Sequence, residues 1–78
     1  MDSTEIRNLR NSLQLSVAEF AELLSVSKDT LYSWELGRRV PMGLTKKVLK
    51  LIAEDQDIYK KFVHMTEVER ELTKELKV

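Results

Sequence analysis

The side chains best suited to chemistry lie in residues 25–39, SVSKDTLYSWELGRR. Two hydroxyls, an ammonium and a carboxylate fill one helical turn (Ser27, Lys28, Asp29, Thr30), Ser33 stands a turn later, and Arg38 and Arg39 follow a glycine. Short donors and acceptors on one helix face, with apolar anchors on the other, are what reading base edges in the major groove requires. Lys28 can donate to guanine O6 and N7. Asp29 can accept from cytosine N4, or it can simply stabilise a helix N-terminus through the macrodipole. Arg38 and Arg39, assisted by Lys46 or Lys47, suit phosphate clamps, which fix register but carry little sequence information; a solvated basic loop is the plainer reading. Tyr32 either packs on a sugar or phosphate or covers the edge of the core. Trp34, three residues from Leu31, reads as a core anchor.

Other chemistry finds no support. His64 is the single histidine and there is no cysteine, so no metal-ligand spacing exists. Neither a nucleophile–base arrangement nor a glycine-rich phosphate loop is present, so no catalytic residue, metal or cofactor is expected. Glu67, Glu69, Glu71 and Glu75 read as a solvated helix face with lysines nearby.

Net charge is zero, which alone would argue against a nucleic-acid partner. Its distribution argues otherwise. Residues 25–50 carry six cations (Lys28, Arg38, Arg39, Lys46, Lys47, Lys50) against Asp29 and Glu35, a local balance of +4, whereas residues 51–78 sum to −2. One basic and one acidic region suit a protein with a single anion-facing side.

The elements that must position these groups are helices. At 78 residues, 42% apolar and 33% charged, with two glycines and one proline, the chain suits one small folded domain and neither disorder nor an all-β fold. The absence of cysteine suits a reducing compartment, and the charged start MDSTEIRNLR shows neither a signal peptide nor a membrane span, so a cytoplasmic protein is expected. Ile6, Leu9, Arg10 and Leu13 place a stripe on a helix over 3–14. Ser16 with Glu19 forms a capping-box pattern for a second helix ending near Leu24, with Phe20, Ala21, Leu23 and Leu24 inward. Ser27 is a plausible N-cap for residues 28–36, and Gly37 is placed to close that helix in the left-handed conformation. A fourth helix over 42–53 is expected to bury Leu44, Val48, Leu51 and Ile52, and a fifth starts near residue 55. The pattern Thr66-Glu67-Val68-Glu69 is itself a capping box, so the tail is either one helix or two, giving five helices or six.

The stretch LSVAEFAELLSVSKDTLYSWELGRRVP, residues 15–41, resembles the helix-turn-helix of the Xre family, the lambda-repressor/Cro-like DNA-binding domains. Small Ala21 lets the second helix approach the third, Val26 plugs the corner, and Leu31 and Trp34 anchor the third helix. With the first helix and LTKKVLKLI the likeness extends to about residue 55, implying an all-α, lambda-repressor-like DNA-binding domain over 1–55 and a helical extension over 56–78. It also implies that Arg10 pairs with Glu35, that Ser27, Lys28, Asp29, Thr30 and Ser33 face bases, and that double-stranded DNA is the partner. Two departures stand out: Val17 replaces a frequent glutamine, and Ser25 a frequent glycine, at the cost of steric strain in the turn.

Members of this class usually bind as dimers, reading half-sites about 34–36 Å apart. Met65, Val68, Leu72 and Leu76 fall beyond what the core needs and are expected to form a homodimer or partner interface; Ile58 and Phe62 either join them or pack back on the domain. The short RRVPMGLTKKVLKLI form is similar to compact HigA-like antitoxins, which repress their own operon and bind a toxin protein. The expected function is therefore a dimeric transcriptional repressor, with a protein-interaction module of weak or no DNA binding as the alternative.

Overall fold

A computed structural model describes the backbone of residues 1–76 and the side chains of residues 1–72. The helices are α1 (Ser3–Ser12), α2 (Val17–Leu24), α3 (Lys28–Glu35), α4 (Gly43–Glu54) and α5 (Gln56–Leu76), and the described residues contain no strand. The all-α, five-helix reading is therefore met.

Local chemistry explains most helix boundaries. Asp2 caps α1 by accepting the Glu5 N–H at 2.8 Å. The Ser16 hydroxyl accepts from the Glu19 N–H at 3.1 Å, and the Glu19 carboxylate accepts the Ser16 N–H at 2.9 Å, completing the expected capping box of α2. Ser27 starts α3 by accepting from the Thr30 N–H at 3.1 Å. The exits repeat one device: a residue in the left-handed region carries paired hydrogen bonds back to the last turn. After α2 that residue is Ser25, φ 57°, and the Val26 N–H reaches the Ala21 carbonyl at 3.0 Å. After α3 it is Gly37, φ 75°, and the Arg38 N–H reaches the Ser33 carbonyl at 2.9 Å. The strain expected at Ser25 is thus present, since an L side chain there crowds its own backbone.

Ile6 of α1, Phe20 of α2, Leu31 of α3 and Leu49 of α4 are fully buried and form the centre of one core with Ala21, Leu23, Trp34 and Ile52. Helix α5 closes it through Tyr59, Phe62 and Val63. One expectation is corrected. In α4, Leu49 and Ile52 are buried, while Leu44 and Leu51 are 76% and 47% exposed and Val48 lies between. Leu44, Val48, Leu49, Leu51 and Ile52 span more arc than the core can cover, so the way α4 packs, chiefly against α5, selects which go inside. Of the two readings left open for the tail, the structure takes the single helix. Helix α5 runs on, and the Thr66 hydroxyl donates to the Phe62 carbonyl at 2.9 Å instead of capping a new helix.

Candidate nucleic-acid interface

Helix α3 is held from behind by Leu31 and Trp34, and its opposite face carries the polar set. Ser27, Lys28 and Asp29 are exposed, Thr30 and Ser33 half-buried, and Tyr32 is half-exposed. The polar tips are partly organised among themselves. Ser27 Oγ and Thr30 Oγ1 lie 2.9 Å apart, and the Ser33 hydroxyl donates to the Asp29 carbonyl at 3.0 Å. Each of these hydroxyls keeps lone pairs or a rotatable proton for an outside group. No hydrogen bond joins the face to another helix among those formed by the Ser27, Thr30 and Ser33 side chains.

Arg38 and Arg39 are exposed and are tied to the end of α3, because both their backbone N–H groups donate to the Ser33 carbonyl, at 2.9 and 3.3 Å. Lys46 and Lys47 are exposed in the first turns of α4. The structure therefore joins the α3 face and the two arginines as one unit, and sets the two lysines on the next element rather than on α3.

The seating of α3 against α1 is polar and heavily paired. Arg10 grips Glu35 with two hydrogen bonds, Nε to Oε2 at 3.0 Å and Nη2 to Oε1 at 2.9 Å. Its remaining Nη1 donates to the Leu15 carbonyl at 3.1 Å. The hydrogen bond to Glu35 holds the Arg10 guanidinium above its ordinary pKa. Both side chains are largely removed from water, at 17% and 7% exposed, and no described buried side-chain polar atom lacks a partner. Arg7, which pattern reading passed over, donates from Nη2 to the Glu35 carbonyl at 2.7 Å and so fixes the end of the same helix. Its three-residue spacing from Arg10 puts both on one face of α1, and this was the available signal.

In the tail, Met65, Val68 and Leu72 are exposed by 54%, 40% and 54%, whereas Ile58 and Phe62 are half-buried and Phe62 packs on the core. The Leu76 side chain lies outside the described residues. Arg70 pairs with Glu22, linking α5 to α2, and this pairing raises the arginine pKa. His64 is exposed, and no cluster among the described residues could hold a metal ion. No helix of the described residues is long and apolar enough to cross a membrane.

A family described as a helix-turn-helix domain matches residues 3–57. The chain belongs to the helix-turn-helix domain family. The Xre-like stretch at residues 15–41 falls wholly inside that match, as does the whole of α3 with its arginine exit. This helix-turn-helix protein is also 44% identical over 48 residues to antitoxin HigA-2 of Vibrio cholerae serotype O1 (strain ATCC 39315 / El Tor Inaba N16961). The aligned stretch is 62% of this chain and 46% of that relative, so the chain matches less than half of its length. No solved structure gives a significant match.

Proposed function

We propose that this helix-turn-helix protein is a sequence-specific transcriptional regulator, a dimeric repressor that reads the major groove with residues 27–36. The observation that carries this reading is the uncovered polar face of α3, which continues directly into Arg38 and Arg39. Ser27, Lys28, Asp29, Thr30 and Ser33 read bases, and Arg38, Arg39, Lys46 and Lys47 hold phosphates. Residues 1–55 supply the DNA-binding unit, and residues 56–78 add a self-association surface. The similarity to an antitoxin supports a second role, in which the same chain binds a toxin protein and represses in step with it.

The test is a salt titration of binding to duplex DNA. Neutralising about four to six phosphates per domain gives a log–log slope of about −4 to −5. A slope near zero, or no duplex binding at low salt, removes the DNA-reading role and leaves an interaction module.

A further inference from the structure

We propose that Ser33 meets its base as a hydrogen-bond acceptor and so selects the exocyclic amine of adenine or cytosine, which deepens the base-reading role proposed for α3 and rests on it. The Ser33 hydroxyl donates its proton to the Asp29 carbonyl, one turn back in the same helix, at 3.0 Å. A serine hydroxyl has one proton and two lone pairs, so what Ser33 keeps for an outside group is acceptor capacity alone. A hydroxyl that already donates is also the better acceptor, because the first bond polarises its oxygen. The other hydroxyls of the face are not committed in this way. Ser27 Oγ accepts the Thr30 N–H at 3.1 Å and lies 2.9 Å from Thr30 Oγ1, so one proton lies between the two side chains. The second proton and the remaining lone pairs stay free, and this pair can donate or accept.

Asp29 reinforces the choice. Its residue is exposed and stands four positions before Ser33 on the same face, about 6 Å along the helix axis. An ionised carboxylate is acceptor-only as well. In the major groove guanine offers the acceptors N7 and O6, and thymine offers O4 beside its methyl group, whereas adenine N6 and cytosine N4 donate. Two acceptors one turn apart are therefore repelled by the first two edges and find partners on the others. Lys28 at the start of α3 and Arg38 and Arg39 beyond its end supply the donors, which leaves acceptors between them. Every base pair carries an amine on one strand and a carbonyl oxygen on the other, so base identity alone does not reveal which atom Ser33 meets. Deleting single atoms from the DNA does.

The test begins with selection from a randomised duplex library by the full chain and by its Ser33→Ala variant. The Ser33 hydrogen bond stays within α3 and alanine is the best helix former, so the variant keeps its fold. The base pair at which selectivity falls in the variant is the one Ser33 touches. At that pair adenine is replaced by deoxynebularine, which lacks the N6 amine, or cytosine by deoxyzebularine, which lacks the N4 amine. Loss of the amine should weaken binding by the wild type about fivefold more than binding by Ser33→Ala. Ser33→Thr, whose hydroxyl can make the same bond to the carbonyl four residues back, should keep the wild-type response. If instead loss of a purine N7, or of the carbonyl oxygen of the same pair, weakens the wild type and spares Ser33→Ala, Ser33 donates and the proposal is overturned. Equal selection by the wild type and Ser33→Ala would show that Ser33 meets no base, and would overturn it too. A library that yields no preferred duplex for the wild type would remove the base-reading role itself, and the choice of amine with it. Preferred duplexes leave that role standing whichever way Ser33 is oriented.

Discussion

Glu35, at the last turn of α3, sends its carboxylate to Arg10 and its backbone carbonyl to Arg7, so two arginines of α1 hold the end of α3. The arrangement links packing to function, because the tilt of α3 and the exit of Arg38 and Arg39 depend on a buried polar contact between two helices. Its energetics are asymmetric. Two charges taken from water gain little over a well-packed apolar pair, but removing one of them strands the other.

Arg10→Met should therefore destabilise the fold by about 3–5 kcal/mol, a large share of what a domain of this size holds. The double variant Arg10→Met/Glu35→Leu should recover most of that loss, since no buried charge is left without a partner. Urea unfolding of the two variants and the wild type checks both statements. Equal losses in the single and double variants would mean that the pair is worth more than its desolvation cost.

Ser25→Gly should stabilise the protein by about 1 kcal/mol. The position sits at φ 57°, where a side chain costs about 1–2 kcal/mol and glycine costs nothing in the folded state, partly offset by the greater freedom of glycine when unfolded. In a chain of this length the gain corresponds to a rise of about 4–8 °C in the melting temperature, measured by circular dichroism. An unchanged or lower midpoint would show that the serine makes a compensating contact.

Acid should loosen the start of α2. The Ser16 backbone N–H, and after it the Ser16 hydroxyl, holds the Glu19 carboxyl below its ordinary pKa. A carboxyl lowered on folding contributes stability that is fully present above its unfolded value of about 4.3 and is lost as pH falls through the folded value. Glu19→Gln should therefore lower stability near neutrality, change it little in strong acid, and so flatten the acid limb of a stability-against-pH curve below about pH 4. A wild-type acid limb retained in the variant would assign it to other carboxylates.

The two classes of basic residue should separate in binding experiments. Arg38→Ala and Arg39→Ala should weaken binding to all duplexes alike and make the salt slope shallower by about one each. Lys28→Ala should leave most of the slope and relax preference at one base position, at a cost of about 1–3 kcal/mol. Parallel salt titrations over a set of single-base operator variants would show both effects. Identical behaviour of the three variants would mean that Lys28 touches only phosphate.

Much of the architecture was legible because it is written in contacts three to five residues apart. Ser16 with Glu19, Ser27 with Thr30, the turn residue Ser25 and the closing Gly37 all act within one turn of chain, so residue types alone mark where α2 and α3 begin and end. The same locality left one helix or two open at Thr66. A capping pattern is only an offer to the backbone, and continuing a helix already started costs less than nucleating another, especially with Val63 and Phe62 anchoring it to the core. The candidate interface divides in the same way. Lys28 and the two arginines are marked by type and spacing, whereas the pairing of the Ser33 hydroxyl with the Asp29 carbonyl and the grip of Arg7 needed coordinates.

Read alone, the amino-acid order determined that this chain is helical, where most helices start and stop, and which helix turns a short polar face outward. Each of those outcomes follows from backbone hydrogen bonds and side-chain periodicity within a single segment. Only the tertiary structure decided that α4 buries Leu49 rather than Leu44 and Leu51, and that Arg7 joins Arg10 on Glu35. Those choices depend on how separate helices approach one another, and an apolar stripe wider than the space available to it does not specify that approach.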